Sequence, residues 1–92
     1  MLASWYGAKF HGRRMANGHR FNMYDLTVAH RTLPLGTELL LTNPRNGRQV
    51  EVRVTDRGPH VRGRQLDVSY EVARRLYFVS RGVTRLKMQI LG

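Results

Sequence analysis

Residues 49–56, QVEVRVTD, alternate without a break, and no other stretch restricts the fold more. In an extended chain Val50, Val52 and Val54 fall on one face and Glu51 and Arg53 on the other. A helix has no use for this pattern, because its 3.6-residue period scatters the valines around the axis. The same two-residue period returns in TRLKMQIL at 84–91, where Leu86, Met88 and Ile90 are expected to face inward and Arg85, Lys87 and Gln89 outward. LASWY near the start and LTVAH at 26–30 are further β-type runs. Leu39–Thr42 reads as one arm of a hairpin, Asn43–Gly47 as its turn and Gln49–Thr55 as the second arm.

One helix is expected. Ser69 suits an N-cap, Glu71 suits the positive end of the helix dipole, and Val72, Ala73 and Leu76 form an apolar stripe. The helix should end between Tyr77 and Ser80, with Gly82 following. Residues 7–25 are basic, glycine-rich and irregular, and a loop of that length in a compact domain is functional or disordered. At 92 residues the chain is read as a single domain spanning 1–92. It has no cysteine to staple it, so the sheet itself must close. The expected class is therefore all-β, a small closed barrel that removes its own edge strands. No apolar stretch is long enough for a transmembrane helix, and MLASWYG shows no signal-peptide pattern. Sixteen Lys and Arg against six acids give a net charge of +10, which suits a polyanionic partner without selecting one.

Against that charge, VTDRGPHVRGRQLDVS at 54–69 places two carboxylates at the ends of apolar runs. Strand parity puts Asp56 on the side of Val50, Val52 and Val54, leaning toward the core or a cleft at the barrel rim, where desolvation raises a carboxyl pKa. The alternative is a turn residue, since D-R-G-P is good turn chemistry. Asp67 has opposite parity to Leu66 and Val68, and it can instead accept backbone N–H bonds ahead of the helix. If the intervening loop folds back, both acids meet in one cleft, the usual apparatus of glycan cleavage. His30 ends a strand and is placed to act as acid, base or orienting group; His19 sits in the glycine-rich loop; His11 and His60 lie in loops. No spacing matches a metal-ligand pattern, and there is no cysteine nucleophile, G-x-S-x-G or P-loop. Trp5 is expected in the core, with Tyr6 turned to the same side as Ser4 and free to meet a sugar face.

ASWYG, GRRMANGHRFNMYDLTVAHRTLPLGT and VTDRGPHVRGRQLDVS together resemble the rare lipoprotein A family, across nearly the whole chain. The last segment also resembles bacterial expansins. The resemblance implies a six-stranded double-psi β-barrel with one short helix. It implies action on peptidoglycan, with a lytic transglycosylase cutting between N-acetylmuramic acid and N-acetylglucosamine and leaving a 1,6-anhydro end. One carboxyl group then serves as acid and base. By position Asp56 matches the family aspartate of DRGP, His30 its histidine, and Asp67 the aspartate expansins keep in their cleft. Ser4, Tyr6, Asn17 and Arg57 are the expected substrate contacts. Where the family reads T-A-N-G-E this chain reads MANGH, so Met15 replaces the threonine and His19 a glutamate of the active site. A histidine offers no negative charge to an oxocarbenium-like transition state, and this opens the alternative of an expansin-like glycan binder without catalysis. A basic barrel binding nucleic acid is a third reading, disfavoured by the scarcity of aromatics outside core positions. No cofactor is expected, and a monomer is the default. The resemblance further implies the periplasm or cell envelope, with any hold on the outer membrane made by a lipid anchor outside these residues.

Overall fold

The computed structural model describes residues 1–92. In chain order it contains β1 (Leu2–Tyr6), β2 (Thr27–His30), β3 (Glu38–Thr42), β4 (Gln49–Asp56), β5 (Leu66–Ser69), α1 (Tyr70–Arg75), β6 (Val83–Arg85) and β7 (Lys87–Ile90). All strands belong to one sheet of order β6-β1-β5-β2-β4-β3-β7. Two parallel pairs, β1 with β5 and β2 with β4, are joined by the antiparallel pair β2 with β5.

The two edge segments of this sheet are halves of one bent strand. Only Leu86 separates β6 from β7, yet β6 pairs with β1 and β7 with β3, at opposite ends of the strand order. The chain thereby curls the sheet into a barrel, with six continuous strands as expected and the last one bent. The ladder runs through the corner: the Leu86 N–H donates to the Met1 carbonyl at 2.7 Å, and the Met1 ammonium donates to the Leu86 carbonyl at 3.0 Å. Leu86 itself is buried.

Strand alternation fills the interior. Val50, Val52 and Val54 from β4, Leu39 and Leu41 from β3, Val28, Leu66, Val68 and Ala3 form one apolar cluster. Val72, Ala73 and Leu76 of α1 add to it, as does Phe78. Ser69 caps the helix as expected: its hydroxyl accepts the Val72 N–H at 3.3 Å and donates to the Asp25 carbonyl at 2.6 Å.

Three expectations need correction. Ile90 lies opposite Leu39 and shares its face, as expected, but it is 55% exposed and takes no part in the packed interior. The helix stops at Arg75, short of Tyr77–Ser80, and the residue after its cap, Tyr77, is left-handed. Tyr6, not Trp5, is the more deeply buried of the two aromatics. The outer face of β1 is not open to solvent, because residues 7–25 fold over it. Tyr6, Met15, Phe21 and Ala29 make a second small core there, with the Tyr6 and Phe21 rings stacked at 4.4 Å.

Truncating Leu86 to alanine is expected to cost about 2–5 kcal/mol in urea denaturation, as for other fully buried leucines. Ile90→Ala should stay within about 0.5 kcal/mol of the parent. Equal losses at both positions would contradict the bent-strand closure.

Candidate functional site

Pairing register lays a row of residues across four strands on the outer face of the barrel. Ser4 of β1 lies opposite Asp67 of β5, Asp67 opposite Ala29 of β2, and Ala29 opposite Asp56 of β4. The backbones bearing the two carboxyl groups are two strand spacings apart, roughly 10 Å. Between them the floor is a single methyl group, Ala29. Asp67 reaches this face by alternation, since Leu66 and Val68 turn inward. Asp56 reaches it by a slip. The β2–β4 pairing runs Val28 with Val54 and then Ala29 with Asp56, so Thr55 is an extra residue, a β-bulge. Without it, parity would send Asp56 into the barrel beside Val54, one of the two placements expected from the sequence; the other was a cleft at the barrel rim. The bulge turns it out into the cleft.

The cleft has a volume of about 530 Å³. Ser4, Tyr6, Ala29, Asp56 and Asp67 line its floor, and Trp5, Phe10, Lys9, Arg57, His60 and Arg64 are among its walls. Loops on both sides fix the carboxyl groups. The Ala16 N–H of the 7–25 loop donates to Asp56 Oδ1 at 2.9 Å, and so does the Arg57 N–H. The Thr55 hydroxyl donates to the Met15 sulfur at 3.3 Å, and the Asn17 N–H donates to the Thr55 carbonyl at 3.2 Å. On the other side Arg31 donates to the carbonyls of Pro59 and Val61, holding the 57–65 loop against the end of β2.

Asp67 differs electrostatically from an exposed carboxylate. Burial raises its pKa, opposed by the Ser4 hydroxyl, which donates to Asp67 Oδ1 at 3.1 Å, and by Arg64; the charge of Asp56 pushes in the same direction as burial. Tyr6 is raised strongly, by burial first and then by the negative charges of Asp56 and Asp67. Its hydroxyl is buried without a hydrogen-bond partner. Beside two carboxyl groups it is a buried donor left unsatisfied.

The family model described as lytic transglycolase matches residues 1–88. The chain belongs to the lytic transglycolase family. Its fold is the double-psi β-barrel. Among curated relatives it is 53% identical over 97% of its length to the probable endolytic peptidoglycan transglycosylase RlpA of Aquifex aeolicus, and 53% identical over 98% to the protein of the same description from Synechocystis. It spans 39% and 28% of those two proteins. Among solved structures the Streptomyces papain inhibitor superposes with a TM-score of 0.75 at 22% identity, covering 99% of this chain and 91% of the inhibitor; that likeness concerns the fold alone.

In this lytic transglycolase domain four of the eight expected site residues form the cleft floor: Ser4, Tyr6, Asp56 and Asp67. Arg57 is a wall residue, and its guanidinium also donates to the carbonyls of Leu33 at 2.6 Å and His30 at 3.2 Å. His30, His19 and Asn17 are not among the lining residues. His30 shares the parity of Val28, away from Ala29, and its Nδ1 accepts the N–H groups of Thr32 and Leu33 at 3.1 and 3.0 Å. Its pKa is lowered, by burial first and then by Arg57 and Arg31. His19 is exposed at the loop tip, where its N–H donates to Asn17 Oδ1 at 2.9 Å. No group of three or more His, Cys, Asp or Glu is arranged to hold a metal ion. Lys9 and Arg64 were not singled out from the sequence, and His60 was noted only as a loop histidine; each sits in an irregular loop with no periodicity to indicate which way it turns.

Folding raises the Asp67 pKa, so the folded state keeps this proton where the unfolded chain has lost it. Stability from this group is full below its ordinary pKa of 3.8 and falls as pH rises through the higher folded value. Asp67→Asn retains an acceptor for Ser4 and removes that loss. The variant should melt above the parent at neutral pH, with the gap closing as the pH drops toward 3.8. A parent that is the more stable at neutral pH would show that Asp67 is not held against its charge.

Proposed function

We propose that this domain cuts glycan strands of peptidoglycan between N-acetylmuramic acid and N-acetylglucosamine, as a lytic transglycosylase of the cell envelope. Support comes from the pairing of two unlike carboxyl groups in one cleft. Asp67 is half-buried, biased toward its protonated form and free of any ion pair. Asp56 presents a carboxylate anchored through Oδ1 by two backbone N–H groups. The pair divides between two side chains the work that the sequence reading assigned to Asp56 alone.

In this reading Asp67 donates its proton to the glycosidic oxygen as the bond from that oxygen to the anomeric carbon breaks. The oxygen leaves as a hydroxyl of the departing sugar. The 6-hydroxyl of the retained sugar then attacks the anomeric carbon and gives its proton to the Asp67 carboxylate, which restores the acid and closes a 1,6-anhydro ring. No water enters the products. Asp56 stands across Ala29 and supplies negative charge to the oxocarbenium-like transition state, a role that asks nothing of His19. Tyr6 directs its free hydroxyl at the substrate. His30 acts at one remove: by holding the 31–33 turn it sets the carbonyl that Arg57 grips.

A second reading keeps the same cleft and omits cleavage, as in an expansin-like binder. It draws on His19, which replaces the family glutamate at an exposed loop tip. Digestion of purified sacculi with mass spectrometry of the products separates the two. The parent should release anhydro-terminated fragments, and Asp67→Asn and Asp56→Asn should each lower their yield by about a hundredfold or more. Sacculi that are bound but never cut support the second reading; cleavage at the parental rate by Asp67→Asn removes Asp67 as the acid.

Tyr6→Phe deletes a buried hydroxyl that has no partner, so its melting temperature should equal or exceed the parent's. Product yield should nevertheless fall, by about tenfold for one lost hydrogen bond to substrate. Unchanged yield would mean that the hydroxyl does not touch the glycan.

A further inference from the structure

Helix α1 closes on an unusual residue. The Phe78 N–H donates to the Ala73 carbonyl at 3.0 Å and the Tyr77 N–H to the Arg74 carbonyl at 3.2 Å. This paired closure places the residue after the cap in the left-handed region, where glycine is the default. Here that residue is Tyr77, with φ of 59°, the one non-glycine position of positive φ in the chain. A bulky side chain there is strained. Core packing does not offset the strain, because Tyr77 is 68% exposed. Strain maintained on an exposed aromatic points to a use for the ring.

The surroundings indicate which use. The Arg48 guanidinium lies 3.9 Å over the ring centroid and backs one face. Tyr77 also lines a groove of about 360 Å³ with Tyr70, Arg74, Val79 and Ser80. Arg48 is not part of that groove, so it supports the ring from the far side. The groove adjoins the cleft through Trp5. Trp5 is a cleft wall, its ring meets Tyr70 edge-on at 5.6 Å, and its Nε1 donates to the Val79 carbonyl at 3.0 Å. A Cβ on Gly7 would come within 2.8 Å of that indole, so the glycine leaves the ring its place.

The geometry points to a second sugar-binding subsite in this groove, engaging a part of the same glycan strand beyond the portion held in the cleft. A pyranose ring has an apolar face of C–H groups and a rim of hydroxyls. Tyr70 and Tyr77 offer flat apolar surface with polar tips, and Arg74 and Ser80 offer donors at its margin. The subsite rests on the glycan reading of the cleft, and it extends that reading from one scissile linkage to a preference for long strands.

The test compares the parent with Tyr77→Gly and Tyr77→Ala. The probes are chitin oligosaccharides, which contain no N-acetylmuramic acid and so no scissile linkage, used as a disaccharide and as long chains in calorimetry. Tyr77→Gly relieves the backbone and should melt at or above the parental temperature. Both variants should bind the disaccharide as the parent does and the long chains about tenfold more weakly. Parental affinity for long chains in both variants overturns the subsite and leaves the cleft reading intact. A lower melting temperature for Tyr77→Gly makes the tyrosine a structural prop and overturns it as well. Equal weakening toward both probes shows a disturbed cleft rather than a separate subsite. If the parent binds neither probe, the glycan reading and the subsite fall together.

Discussion

The site depends on a one-residue slip between β2 and β4. Up to Val54 the two strands pair in regular parallel register; at Thr55 the register shifts, and Asp56 lands beside Ala29 instead of entering the barrel. In regular register the carboxyl group would face Val28, Val54 and Val68, where no partner compensates the loss of water. The slip also supplies the handle by which the long loop is attached. Thr55 offers its hydroxyl to Met15 and its carbonyl to Asn17, and Asp56 takes the Ala16 N–H. Turning the acid outward and seating the loop above it are therefore one structural event.

A sheet treated this way has two apolar faces of unequal size. The inner face carries the main core; the outer face, under residues 7–25, carries a small one built from Tyr6, Met15, Phe21 and Ala29. Placing the cleft beside the small core explains its electrostatics. Protein covers Asp67 and Tyr6 enough to shift their proton affinities, while the cleft stays open to a ligand. The chain's ion pairs lie elsewhere, between Glu38 and Arg53 and between Glu71 and Arg74 and Arg75. Those two arginines, through hydrogen bonds and charge, draw the Glu71 pKa down to about 2. Among sixteen basic side chains, Asp56 and Asp67 make no ion pair, which leaves their charges for the substrate.

Much of the scaffold was legible in advance. Val50, Val52 and Val54 announced their strand and its buried face, Ser69 its cap, and the absence of cysteine the need for closure. Ile90 and the end of α1 were misjudged for a shared reason. Periodicity states which residues match a face and is silent on how far the packed interior extends or which residue absorbs a left-handed turn. Trp5 packs against the main core and Tyr6 turns to the side of Ser4 as expected, but nothing local shows that a loop returns to cover the outer face of β1 and bury Tyr6. Asp67 followed from alternation alone, whereas Asp56 was expected toward the core or a rim cleft and reaches the cleft only through the extra residue at Thr55. His30 and His19 were attractive as proton carriers, yet one is turned away from the cleft floor and the other stands at an exposed loop tip.

The sequence by itself determined the strands, their inward faces, the helix start and the family. These are short-range properties, carried by the alternation of side chains and by ordered motifs that survive without knowledge of neighbours. Only the tertiary structure decided that the last strand bends at Leu86 to join the sheet's two edges, that Thr55 is the extra residue, and that burial raises the pKa of Asp67. Each of these is settled between elements distant in the chain, by cross-strand register and by what packs on top. A period of two residues contains no information about either.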